Sequence, residues 1–239
     1  MPKVDILAIG AHPDDVELSC SGLLAKEIAH GKTVAILDLT KGELGTNGSE
    51  ATRAKEANLA AELLGAVTRR NLGLPDAFFE NNKTNKLKVV EQIRDLQPDV
   101  VICNAIDDRH IDHPRGAQLV HDACFLSGLA KITTTWKEQQ QQKWRPKHVL
   151  HYIQWFDLKP DVIIDISGFI NKKIEVVKAY QSQFYQPNHQ QAKTPISSKN
   201  FLDSVEYRAR NLGRVIGKDH AEGYNIQKPV ALNSIDDLI

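Results

Sequence analysis

The stretch Val4-Asp5-Ile6-Leu7-Ala8-Ile9-Gly10-Ala11-His12-Pro13-Asp14-Asp15 changes character half-way along. Val4 to Ile9 is a mostly apolar run of strand length. Beyond Asp15 the chain reads as a helix from about Val16 to Ala29, with Leu18, Leu23, Leu24 and Ile28 on one stripe and Gly31 as its stop. An imidazole and two adjacent carboxylates therefore stand at the C-terminal end of a predicted strand. In an open α/β sheet, that edge is where ligands bind. Such crowding of polar groups in a strand-to-helix turn points to a divalent metal. His12 and Asp15, three apart, can both turn towards one ion, which leaves Asp14 beside it and free to act as a base. The competing reading makes His12 and Asp15 an N-terminal helix-cap pair, since Asp is a common cap residue.

Outward from this stretch, apolar runs alternate with helical patterns, the mark of βαβ units and a mostly parallel sheet. Strands are expected at 33–39, 68–72, 99–105, 148–156 and 162–166, with 221–230 as an edge strand. Helices are expected at 50–64, with Leu59, Leu63 and Leu64 to bury, and at 87–96, 171–180 and 201–216. A further helix should start with Pro114 as its first residue and run to about Leu129. No internal repeat or interdomain linker is visible, so residues 1–239 read as a single α/β domain.

The loop 40–49 carries Gly42, Gly45 and Gly48 between a strand and a helix. It lacks both the GxGxxG spacing and a terminal GK[ST], so a substrate-covering loop is expected rather than a phosphate cradle. Arg53, in the first turn of the next helix, either points back at this loop or is a solvated helix charge. Residues 131–145, with their run of glutamines, read as a surface excursion without chemistry. Residues 183–199 hold two prolines and no periodicity, which fits a lid. Tyr185 and His189 lie within it.

A second polar cluster, Asp107-Asp108-Arg109-His110-Ile111-Asp112-His113-Pro114, follows the strand at 99–105 and repeats the arrangement of the first. If the two strands are neighbours, His12, Asp15 and either His110 or His113 offer three N/O ligands with an open fourth position, the layout of a catalytic zinc site. Asp14 is then the base, and the second histidine protonates the leaving group or stabilises the oxyanion. Asp112 could orient that histidine. Taken singly, His110 and His113 could be ordinary loop histidines; the joint occurrence of the clusters favours a metal hydrolase.

Thirty basic and thirty acidic residues cancel, which argues against a nucleic-acid partner. No apolar run approaches the ~20 residues that span a bilayer, and the first residues enter a strand directly, with no signal-peptide pattern. Cys20, Cys103 and Cys124 are far apart and form no CxxC pair, as expected of reduced thiols in a cytoplasmic protein.

AHPDD near the start, with His110-Ile111-Asp112-His113 later, resembles the LmbE-like (PIG-L type) zinc N-acetylglucosaminyl deacetylases. AHPDDVELSCSG (11–22) and TKGELGTNGSEATRAKEA (40–57) resemble more specifically the bacillithiol-pathway subgroup, the N-acetyl-glucosaminyl-malate deacetylases, and the likeness extends to GYNIQKP (223–229). The resemblance implies a Rossmann-like three-layer α/β sandwich that binds no dinucleotide, a small amino-sugar substrate and a closed homo-oligomer. It assigns Zn2+ to His12, Asp15 and His113, makes Asp14 the general base, and makes His110 the group that stabilises the oxyanion and protonates the amine, with Asp112 behind it. Some relatives carry a tyrosine where this chain has Asp108, so oxyanion help should come from Arg109 or the zinc. Arg53 and Arg109 suit the two carboxylates of a malyl aglycone, because guanidinium forks bind carboxylates bidentately. Alternatives are a deacetylase of chitobiose-like sugars, an amidase of thiol S-conjugates, or a non-catalytic sugar- or nucleotide-binding module.

Overall fold

The computed structural model describes residues 3–187 and 192–238. Its centre is β1 (Ile6–Gly10). Every residue of β1 is buried, and successive side chains enter opposite cores: Ile6 and Ala8 join one apolar cluster, Leu7 and Ile9 the other. β2 (Val34–Thr40) divides in the same way, Val34 and Ile36 against Ala35, Leu37 and Leu39. A strand apolar at both parities has a helix layer on each face, which is why these runs do not alternate with polar residues.

The remaining strands of this half are β3 (Thr68–Leu74) and β4 (Val100–Cys103). One face is covered by α1 (Asp15–Ala29) and α2 (Glu50–Leu64), the other by α3 (Lys83–Leu96) and α4 (Asp112–Ser127). α4 begins two residues before Pro114, which is its third residue rather than its first. α2 buries Ala57, Ala60, Ala61 and Leu64, while the predicted core residue Leu59 is exposed. Its alanine face lets the helix lie close to the sheet. Residues 131–145 are not featureless: β5 (Thr135–Trp136) and β6 (Gln139–Gln140) form a short antiparallel hairpin.

Beyond these come β7 (His148–Tyr152), β8 (Val162–Asp165), α5 (Ile170–Val177), α6 (Lys199–Val215) and β9 (Ala221–Ile226). The sheet order is β3-β2-β1-β4-β7-β9-β8. β9 is therefore not the expected edge strand. It is inserted antiparallel between β7 and β8, and it is buried along most of its length. Glu222 on β9 explains its fixed place. The carboxylate accepts from the Gly22 and Leu23 amides at 3.0 and 2.9 Å, from the Tyr224 hydroxyl at 2.8 Å and from Lys173 Nζ at 2.6 Å. One buried side chain thus ties β9 to α1 and α5.

β1 pairs in parallel with β2 on one side and β4 on the other, with Ile6 opposite Val34 and Val100. The chain runs outward from β1 through β2 to β3, then returns to β4. The switch in winding direction lies between β1 and β4, and the loops leaving these two strands open a crevice at their C-terminal ends. Among the described residues, no helix is long and apolar enough to cross a membrane.

Candidate active site

Both polar clusters of the sequence line this crevice. Gly10 closes β1 where a Cβ would stand 2.9 Å from the His12 carbonyl, so the turn needs glycine there. The Ala11 amide donates to Asn104 Oδ1 at 2.8 Å, which locks the two strand ends together. Asp14 then adopts φ +118°, a left-handed conformation costing a non-glycine residue about 1–3 kcal/mol. Asp14 occupies the cap position of α1 without a side-chain cap bond, and the Asp15 carboxylate takes the His12 amide, so the expected cap pair of His12 and Asp15 does not form. Strain of this kind is retained where the surroundings enforce it.

Asp15 is the hub. Its Oδ2 accepts from the His12 amide at 3.0 Å and from Asn104 Nδ2 at 2.9 Å; its Oδ1 accepts from Gln154 Nε2 at 3.0 Å. His12 Nδ1 lies 3.6 Å from Oδ2 and His113 Nε2 lies 3.2 Å from Oδ1. The other nitrogen of each ring is held by further carboxylates. His12 Nε2 lies 3.1 Å from Asp76 Oδ1 and 3.2 Å from Asp112 Oδ2; His113 Nδ1 lies 2.9 Å from Asp108 Oδ2. Each ring thus faces a carboxylate at both nitrogens, which favours its protonated form in the metal-free protein. A cation would displace the protons on His12 Nδ1 and His113 Nε2, the nitrogens turned to Asp15, while Asp76, Asp112 and Asp108 hold the proton on the other nitrogen. Two imidazole nitrogens and one carboxylate converging from strand-end loops form a donor set that suits a divalent cation. His12, His110 and His113 also bring their ring nitrogens within 4.8 Å of one another, as do the ligating atoms of His12, Asp76 and Asp112. The latter group is the carboxylate support of His12.

Asp112 is placed differently from expectation. Its carboxylate takes His12, the Ala77 amide at 2.8 Å and Arg115 Nη1 at 2.7 Å, and does not reach His110. Instead the Asp112 amide donates to His110 Nδ1 at 3.3 Å. His110 therefore carries its proton on Nε2. Burial, together with His12 and His113 nearby, lowers its pKa, so the ring is a neutral donor. Its centroid lies 4.6 Å from that of His12 and 5.0 Å from that of His113.

Burial pushes the Asp14 carboxyl up to about 7, with Asp15 adding to the rise and Arg53 and His12 opposing it. Burial works against charge on Asp15 as well, yet His113 and His12 hold it well below the usual carboxylate range. The two neighbouring carboxyls are thus driven apart: Asp15 is permanently ionised, and Asp14 can take and return a proton near neutral pH.

Arg53 is neither a solvated charge nor a free binding fork. It is buried; Nη1 donates to the Pro13 carbonyl at 2.6 Å and to Asp14 Oδ2 at 3.2 Å, and Nη2 donates to Gln183 Oε1 at 2.7 Å. Its two terminal nitrogens hold the Pro13–Asp14 turn and Gln183, its Nε has no hydrogen-bond partner among the described residues, and the side chain lines the crevice. Arg109, by contrast, is exposed, with its guanidinium 4.6 Å from the Trp155 ring centroid.

The crevice has a volume of about 640 Å3. Gly42, Leu44, Gly45 and Thr46 line it, as expected of a substrate-covering loop. From the expected lid, Gln183, Thr194, Pro195 and Ile196 do so too. Tyr185 packs against the core instead, and His189 lies outside the described residues. The sequence reading missed Asp76, Asn104 and Gln154 and gave Asp108 no role. Each is an ordinary polar residue just after a strand, and the only available signal was that position.

Residues 7–124 match the family model described as PIG-L, GlcNAc-PI de-N-acetylase. Diacetylchitobiose deacetylase of Thermococcus kodakarensis is 25% identical over 189 residues, spanning 75% of this chain and 70% of the relative. A probable N-acetyl-α-D-glucosaminyl L-malate deacetylase of Bacillus subtilis is 26% identical over 197 residues, spanning 76% and 84%. The crystal structure of a conserved protein from Thermus thermophilus superposes with a TM-score of 0.85 at 32% identity, covering 97% of this chain and 98% of that one. Fold, crevice and matched segment agree: the chain belongs to the PIG-L (LmbE-like) family of deacetylases.

Proposed function

We propose that this chain is a zinc-dependent hydrolase that removes the acetyl group from an N-acetylglucosaminyl conjugate, with N-acetyl-glucosaminyl-malate of bacillithiol biosynthesis as the preferred substrate. The observation that carries the reading is the convergence of His12 Nδ1 and His113 Nε2 on Asp15, with the strained Asp14 next to it.

His12, Asp15 and His113 would hold the metal, with Asp76, Asp112 and Asp108 fixing the rings. When bound, a divalent cation polarises the amide carbonyl and makes water more acidic. Asp14 takes the proton of the attacking water at its carboxylate. His110 donates its Nε2 hydrogen towards the carbonyl oxygen as charge builds there. As the C–N bond breaks, Asp14 returns its proton to the amine. A neutral His110 is a weak acid, so Asp14 serves both proton steps and His110 the oxyanion.

A neutral disaccharide such as diacetylchitobiose is the second reading, supported by the Thermococcus relative. Acetate release by the zinc-loaded protein from the malate conjugate and from diacetylchitobiose tests both. Faster turnover of the malate conjugate is expected; no acetate from either would reject the deacetylase reading, and faster turnover of the disaccharide would reject the malate assignment.

A further inference from the structure

Past the histidines, the wall of the crevice is formed by the loop after β7 and one face of α6, which carries Arg208, while Arg109 reaches over it from the loop after β4. Arg109 lies over Trp155, which is itself stacked on Phe201 with centroids 5.8 Å apart at 16°; the Trp155 amide donates to Asp108 Oδ2 at 3.1 Å. The Arg109 side chain is thus positioned by stacking, and among the described residues its donors meet no acceptor. Arg208 follows Phe201 by two turns on α6. Its nearest carboxylate, Asp157, is 3.7 Å away, beyond hydrogen-bond reach, and that side chain is 93% exposed while Arg208 keeps 38% exposure. Burial lowers the Arg208 pKa, against weak support from Asp157 and Asp108.

The interior arginines differ from this pair. Arg53 is spent on Asp14 and Gln183, Arg69 forks onto Asp38, and Arg94 satisfies three carbonyls and Thr134. A half-buried guanidinium with no acceptor in reach, as at Arg208, is costly unless a ligand supplies one, and the donors of the exposed Arg109 are open to a ligand in the crevice. Two guanidinium groups at one wall match an anion with several oxygens.

We propose that Arg109 and Arg208 form an anion subsite for the aglycone, taking a carboxylate or phosphate carried on the C1 oxygen of the amino sugar. This rests on the deacetylase reading, because it places the N-acetyl group at the histidines and the neighbouring anomeric substituent at the arginines. The cation set that the sequence assigned to Arg53 and Arg109 becomes Arg109 and Arg208.

The test compares kcat/KM for three N-acetylglucosaminides, carrying malate, phosphate or methyl on C1, in the wild type, Arg208→Gln and Arg208→Lys. The wild type should prefer an anionic aglycone over methyl. Arg208→Gln should cut that preference about 10- to 100-fold, through KM rather than kcat, the loss expected for one charged hydrogen bond. Arg208→Lys should restore part of it. The anion with the larger loss identifies the group the subsite takes. An unchanged preference in Arg208→Gln, or none in the wild type, overturns the proposal. Calorimetric titration with the malate conjugate separates the two readings. If nothing is hydrolysed but Arg208→Gln weakens binding, the subsite stands and the deacetylase reading falls; equal binding by both proteins removes the subsite.

Discussion

Methionine in place of Arg53 would leave the Asp14 carboxylate without its guanidinium partner. The two groups are 3.2 Å apart and both side chains are under a tenth exposed, so water screens the pair little. An opposite charge at that range typically lowers a carboxyl pKa by about 1–3 units, each unit being about 1.4 kcal/mol. Asp14 is already pushed up to about 7 by burial, and Arg53 opposes that rise. Removing Arg53 should therefore raise it further and shrink the ionised fraction at neutral pH by about 5- to 500-fold. The assay is kcat/KM for acetate release against pH with the zinc-loaded protein. The acid limb should move to higher pH by about 1–3 units, with recovery on the alkaline side. Arg53→Lys, which keeps the charge but not the fork, should hold the limb near its original place. If Arg53→Met lowers the rate equally at every pH, Arg53 does not act through the ionisation of Asp14.

The metal-free protein should bind zinc with release of protons. Three carboxylates raise the His12 pKa in spite of burial, and Asp15 and Asp108 lift His113 to about 9 against the same opposition. Calorimetry in buffers of different ionisation heat should show about two protons displaced near neutral pH, and affinity should rise with pH until about 9; pH-independent affinity would contradict the ring assignments. In the same metal-free protein, the His113 ion pairs stabilise fully below its ordinary pKa of 6.5 and lose that effect as pH passes through about 9, which thermal melts can follow. Asp108→Asn should weaken zinc binding about 10- to 100-fold, and an unchanged Kd would leave the Asp108 contact without a function. Lys173→Met removes the counter-charge of the buried Glu222, leaving it only the Gly22 and Leu23 amides and the Tyr224 hydroxyl, and should cost about 3–5 kcal/mol in denaturant unfolding; a loss below about 1 kcal/mol would mean that these donors satisfy the carboxylate without Lys173.

Sequence reading went furthest where local chemistry decides. α2 spans the expected residues 50–64, and local contacts set its ends: Ser49 accepts from the Thr52 amide at 3.2 Å and Gly65 takes the stop at φ +87°. The clusters at 11–15 and 107–114 were legible because polar residues directly after buried strands have few other reasons to be there. What stayed hidden depends on contacts distant in sequence. The apolar content of 221–226 does not state which strands flank it, and only Glu222 reaching α1 and α5 fixes that. Arg53 lies 39 residues after Asp14 on a helix with many charges, so its burial could not be read from spacing. Asp112 was paired with the wrong histidine, because its neighbours in the sequence conceal that its carboxylate crosses to His12.

The central claim is that His12, Asp15 and His113 hold the metal while Asp14 moves the proton. Asp14→Asn separates these roles. Metal stoichiometry and acetate release measured on one preparation should give full zinc occupancy and a rate reduced about 100- to 10,000-fold. Loss of the zinc with Asp14, or near-normal turnover with zinc retained, would contradict it.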